Sequence, residues 1–135
     1  MSAAIDASAL LALLFAEPGA ETVADAIADG ASTSAVNLGE VATVLVRREQ
    51  PPEKILAPLR EQLAVEPFSE RDALAAAALY PRTASKGLSL GDRSCLALAQ
   101  RLGAPAVTAE HAWADLELDI QVQLIRPPSA PWGSG

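Results

Sequence analysis

The chain of 135 residues predicts an α/β fold in which a parallel sheet is covered by helices on both faces. Three observations lead there. Short apolar segments alternate with stretches of helical periodicity along the whole chain, the pattern of successive βα units and of strands buried on both sides. Half of the residues are hydrophobic, yet only two Phe, two Trp and one Tyr are among them, so Ala, Leu, Val and Ile must build the core and the Ala-rich helices must pack closely. Two of the predicted strands run into a carboxylate, at Asp6 and Glu110, and the carboxyl ends of parallel strands are where α/β sheets place their ligand sites. The length suits one domain with a real core, spanning residues 1–126.

Residues 3–5 form the first strand, which ends at Asp6. Ala7 to Phe15 reads as a helix at once, and taken alone Asp6 is explained by the common role of N-cap. After the breaker Glu17-Pro18-Gly19, residues 20–29 are amphipathic, with Ala20, Val23, Ala24, Ile27 and Ala28 on one face. Gly30 ends them and residues 31–34 give a short second strand. From Asn37 the spacing of Leu38, Val41, Ala42, Leu45 and Val46 is helical. That places Glu40 on the first turn and Arg47-Arg48 near the end, both favourable to the helix dipole; by itself such a glutamate is a solvated surface group.

Pro51-Pro52 breaks the chain, and residues 53–63 form a helix that Pro58 can kink. Leu63 to Phe68 holds a third strand. Ser69-Glu70-Arg71-Asp72 is a capping-box start for an Ala-rich helix over 70–80, and Pro81 to Gly87, with Arg82 and Lys86, reads as a basic loop. Ser89 then caps a helix with Asp92 one turn in, and Gly103 stops it. Backbone N–H groups and the dipole at that helix mouth favour an ionised Asp92. Residues 105–108 are a fourth strand, 111–116 a short helix, and Ile120 to Ile125 the last strand. Pro127 to Gly135, rich in Pro and Gly, reads as a flexible tail and in part a cloning remnant.

The bulk properties exclude several classes. A net charge of −7 and a pI near 4.6 argue against a general basic field for nucleic acid, so any such contact must be local or metal-mediated. One cysteine permits no internal disulfide, which suits a reducing cytoplasm. Cys95 itself reads as a packed thiol, because no partner base stands near it in sequence. The start lacks a basic leader, and the apolar run Ala9 to Ala16 is far short of the ~20 residues that cross a bilayer. A soluble cytoplasmic protein is expected.

Asp6 and Glu110 follow strands, while Glu40 and Asp92 open helices. In one doubly wound sheet these positions can converge at a single edge. Four clustered carboxylates repel one another unless cations offset them, and oxygen ligands without Cys or His select Mg²⁺ or Mn²⁺ rather than zinc. One or two such ions can activate a water and stabilise the leaving oxygen of a phosphodiester.

Four stretches together resemble the PIN-domain nucleases, and within them the VapC-like toxins of type II toxin–antitoxin pairs: Ile5-Asp6-Ala7-Ser8-Ala9-Leu10, Asn37-Leu38-Gly39-Glu40-Val41, Leu90 to Ala99 around Asp92, and Val107-Thr108-Ala109-Glu110-His111-Ala112-Trp113. Each is weak alone; their order and spacing, from Met1 to about Arg126, make the resemblance. It implies a three-layer α/β/α sandwich with a central parallel sheet, a Mg²⁺-dependent endoribonuclease activity in which Mn²⁺ can substitute, a homodimer, an RNA substrate such as tRNA or rRNA, and a cognate VapB-like antitoxin. Asp6, Glu40 and Asp92 match the family's first three acids. The fourth is usually an aspartate where this chain has Glu110, one methylene longer, and Asp115 is the reserve. The resemblance makes Asp6, Asp92 and Glu110 metal ligands, Glu40 a fellow catalytic acid, and Ser8 and Thr108 polar supports beside them. RNA would meet local basic groups, from Arg47, Arg48, Arg82, Lys86 and Arg93; Arg93 is equally a structural ion-pair partner. The surface charge would steer a basic antitoxin peptide, and the apolar helices 7–16 and 20–29 would offer it a groove unless their faces are only core.

Plainer roles compete. His111, the one histidine, reads as a surface or capping side chain, since a metal mechanism needs no His, and Trp113 reads as a cover for the core. A haloacid-dehalogenase-like phosphatase would carry a second Asp at position 8, where this chain has Ser8, and a receiver domain would need an acidic pair and a late lysine that are not evident. A catalytically silent PIN module that binds RNA or protein stays open through the Glu110 change.

Overall fold

The computed structural model describes residues 2–127. The predicted tail therefore falls, from residue 128 onward, outside the described residues. Five short strands, β1 (Ala3–Ile5), β2 (Ala31–Ser34), β3 (Ala64–Glu66), β4 (Ala106–Thr108) and β5 (Val122–Leu124), form one sheet in the order β3-β2-β1-β4-β5. Every pairing is parallel. The helices are α1 (Ala7–Leu14), α2 (Ala20–Ala28), α3 (Ala35–Arg47), α4 (Pro52–Gln62), α5 (Glu70–Ala78), α6 (Tyr80–Thr83) and α7 (Leu90–Leu102).

The period of two along β1 divides the core. Ala3 and Ile5 belong to one apolar cluster with Leu10, Val23, Ile27, Val41, Leu45 and Leu59 of α1 to α4. Ala4 faces the other cluster, built from Ala76 and Leu79 near α5, Cys95 to Ala99 of α7, and Trp113. The α/β/α sandwich is thus the consequence of strands buried on both faces, with β1 apolar throughout. Cys95 is fully buried and its thiol donates weakly to the Ala4 carbonyl at 3.6 Å, and Trp113 is 1% exposed, as expected of both.

Three sequence expectations change. α3 starts at Ala35, because the side chain of Ser34 accepts from the N–H of Val36; Glu40 therefore lies in the second turn, away from the dipole's N-terminal end. Pro81 to Gly87 is not a loop: the short helix α6 and a 3₁₀ turn over Ala84–Lys86 occupy it, with Pro81 tolerated at a helix start. Residues 111–113 form only a 3₁₀ turn. α4 absorbs Pro58. Both capping boxes form, at Ser69/Asp72 and Ser89/Asp92. Among the described residues no helix is long and apolar enough to cross a membrane.

Candidate active site

The strand order turns back between β1 and β4, so their carboxyl ends flank a switch point. β1 delivers Asp6 there and β4 delivers Thr108. Asp6 is the N-cap of α1, its Oδ1 accepting from the N–H of Ala9 at 2.9 Å. The hydroxyl of Ser8 donates to Oδ1 at 2.8 Å and stands 3.0 Å from Oδ2, and the hydroxyl of Thr108 donates to Oδ2 at 2.6 Å. The geometry that caps α1 also holds the candidate carboxylate at this residue. Asp6 is 2% exposed. Burial is the largest influence on it and pushes it from 3.8 up to about 7; the Thr108, Ala9 and Ser8 donors pull the other way without prevailing, and the charge of Asp92 raises it further.

Asp92 is held at the mouth of α7, where its Oδ2 accepts from the N–H of Ser89 at 2.8 Å and its own N–H donates to Ser89 Oγ. Glu40 reaches the same region from α3, which packs on α7; Asn37 Nδ2 donates to Glu40 Oε1 at 2.8 Å and to the Gly91 carbonyl at 3.0 Å. All three acids act on one buried atom: after burial, the charges of Asp6, Asp92 and Glu40 push the Cys95 thiol well above its ordinary value.

Glu110 lies beyond β4 with its side chain exposed, although its N–H donates to the same Thr108 hydroxyl that serves Asp6. Asp115 is turned to Lys86, 3.8 Å away, on an exposed surface. The Arg93 guanidinium does not face the acids: Nη1 donates to the Ala76 carbonyl at 3.0 Å and the group stands 5.3 Å from the centre of the Tyr80 ring, which makes it a tie between helices. Arg82 and Lys86 border a surface recess with Asp115 and Glu117. Arg48 stacks on Phe15 at 4.2 Å, and His111 Nε2 lies 3.3 Å from the Arg126 carbonyl.

The donors are carboxylate oxygens, the chemistry of a hard cation. Among the described residues no three His, Cys, Asp or Glu side chains stand close enough to hold one ion together. Magnesium takes one or two carboxylates and keeps several waters, so a spread set headed by Asp6 and Asp92 fits it while a closed zinc cage does not. The mutual repulsion of these acids is also what a cation relieves. Sequence reasoning passed over Asn37 and Gly91, which touch Glu40. The signals were present: Asn37 and Glu40 are spaced to meet on one helix face, and a glycine inside a helical pattern asks for a packing reason.

A sequence model of the PIN domain matches residues 3–117. No curated protein sequence matches. Among solved structures, a toxin–antitoxin complex from Klebsiella pneumoniae is 20% identical, with a TM-score of 0.73 over 92% of this chain and 98% of that one. VapC20 of Mycobacterium tuberculosis, described as a sarcin-ricin loop cleaving toxin, is 20% identical with a TM-score of 0.68 over 88% and 98%. VapBC-1 from nontypeable Haemophilus influenzae is 19% identical with a TM-score of 0.70 over 93% and 98%.

Proposed function

Because the chain belongs to the PIN-domain family, we propose that it is a Mg²⁺-dependent endoribonuclease, the toxin of a cytoplasmic toxin–antitoxin pair, with residues 1–126 as its nuclease domain and tRNA or rRNA as its substrate. The observation that supports this reading is the Asp6 carboxylate at the end of β1, bonded by Ser8 and by Thr108 of the neighbouring β4, with Glu40 lying against Gly91 next to Asp92 in sequence. The resemblance of the fold to toxins solved with their antitoxins supports the partner. The net charge of −7 favours a basic antitoxin segment, and a second copy of the chain completes the assembly.

When bound, the cation, Mg²⁺ or Mn²⁺, supplies a lowered pKa to the attacking water and offsets charge on the leaving oxygen. Asp6 and Asp92 would hold it, Ser8 and Thr108 fix the Asp6 carboxylate, and Glu40 would orient the attacking water and receive its proton. Glu110, with the longer arm, closes the pocket from the β4 side. Arg82 and Lys86 meet the RNA backbone. Arg93 is left out of that surface, since its guanidinium binds Ala76 and Tyr80.

The test is cleavage of pooled tRNA and rRNA by antitoxin-free protein with Mg²⁺, with EDTA, and as Asp92→Asn, which keeps shape and removes charge. Cleavage that needs metal and is lost in the variant supports the reading. No cleavage by folded protein favours the second one, a silent PIN module that binds RNA or protein, for which the spread of the acids speaks.

A further inference from the structure

Asn37, in the first turn of α3, is 1% exposed and touches two helices. Its two hydrogen bonds run to Glu40 and to the Gly91 carbonyl of α7. Both partners only accept, so the amide nitrogen has to face them. The Oδ1 left over is buried without a partner. A buried amide with an unmet acceptor is a poor stabiliser of a fold. It is a well-placed holder of one carboxylate.

Gly91 meets that carboxylate from the other side. A Cβ at this position would stand 2.5 Å from Cδ and Oε1 of Glu40, closer than atoms pack. Gly91 lies within α7, where glycine is a weaker helix former than alanine. Space, not backbone conformation, therefore requires the glycine: it lets the Glu40 carboxylate lie against the first turn of α7, one residue from Asp92.

We infer that Asn37 and Gly91 form a seat that positions the Glu40 carboxylate beside Asp92, and that this seat sets the affinity of the acidic pocket for a divalent cation. The inference rests on the metal-dependent reading above and adds two positioning residues that carry no charge. Gly91→Ala pushes the carboxylate aside without harming the helix. Asn37→Leu keeps the bulk and removes the donor.

The experiment titrates Mn²⁺ into wild type, Gly91→Ala, Asn37→Leu, Glu40→Gln and the Asn37→Leu/Glu40→Gln double variant, following the free ion by electron paramagnetic resonance and thermal unfolding in parallel. Gly91→Ala and Asn37→Leu are expected to bind Mn²⁺ about tenfold more weakly. Gly91→Ala should melt at or above the wild-type temperature, and Asn37→Leu should add nothing once Glu40→Gln is in place. Wild-type affinity in both single variants overturns the seat, as does a full Asn37→Leu effect in the Glu40→Gln background. Should wild type bind no Mn²⁺, the metal-dependent reading fails, and the side-chain amide resonance of Asn37 decides the seat separately. Movement of that signal in both Glu40→Gln and Gly91→Ala upholds the positioning of Glu40; an unmoved signal overturns it.

Discussion

The hydroxyl of Thr108 donates to Oδ2 of Asp6 across 2.6 Å, joining residues 102 apart in sequence at the ends of neighbouring strands. Through it β4 reaches the carboxylate that ends β1. Ser8 Oγ lies 3.2 Å from the same hydroxyl and donates to Asp6 as well. Each bond favours the ionised carboxylate, yet burial outweighs them.

Thr108→Val keeps the shape of the side chain and deletes the donor. The Asp6 carboxylate then loses the strongest influence that lowers its pKa, and the affinity for Mg²⁺ and the rate of RNA cleavage near neutral pH should fall about tenfold. Thr108→Ser, which retains the hydroxyl, should restore most of both. Calorimetric Mg²⁺ titration together with kcat measures this; equal affinity in Thr108→Val would reduce Thr108 to packing.

Burial raises Asp6 from 3.8 to about 7, so the folded protein binds this proton more tightly than the unfolded chain. The associated stability is full below the unfolded value and is lost as pH rises through about 7. In metal-free protein the loss is on the order of 4 kcal/mol between about pH 4 and pH 8. Asp72 acts in a different window. The Ser69 N–H, more than the other influences, holds it below the ordinary range, so its contribution is present above that range and disappears only in more acid solution. Urea unfolding of Asp6→Asn should show a flatter profile and a more stable fold than wild type at about pH 8, with cleavage abolished. A wild-type profile that does not decline toward pH 8 would contradict the assignment.

At the proposed metal site, proton and cation would compete for Asp6. The Mg²⁺ affinity of EDTA-stripped protein should rise about tenfold per pH unit up to about pH 7 and level off above it. Calorimetry at several pH values reads this directly, and an affinity independent of pH would remove Asp6 from the ligand set.

What was legible in the sequence was periodic or local. The alternation of short strands with helical periods pointed to the parallel sheet, and Ser69/Asp72 and Ser89/Asp92 announced their capping boxes three residues apart. Asp6 was legible as the cap of α1, the same residue that heads the proposed site. The direction in which an Arg93 turns was not, because the Ala76 carbonyl and Tyr80 that receive it are set by helix packing. The start of α3 was missed by two residues because the apolar spacing outweighed Ser34 as a cap. Nor could spacing reveal that Gly91 is reserved for the Glu40 carboxylate, since α3 and α7 meet only in the fold.

The two candidates for the proposed fourth acid, Glu110 and Asp115, are tethered differently. The Glu110 N–H donates to Thr108 Oγ1, the hydroxyl already bonded to Asp6, and its side chain is exposed. Asp115 is 81% exposed at its side chain and paired with Lys86; such a pair contributes at most about 1 kcal/mol. Glu110→Gln should therefore lower cleavage about tenfold with unfolding unchanged, consistent with the loss of a supporting acid rather than a principal ligand. Glu110→Asp, keeping the charge on a shorter arm, should retain most of the activity. Asp115→Asn should leave cleavage within about twofold, because only a weak surface pair is lost. Rates on one RNA substrate at saturating Mg²⁺ compare the three variants. If Asp115→Asn proves the damaging change, the Lys86 pair must break when RNA binds, and the pocket is closed by the later acid.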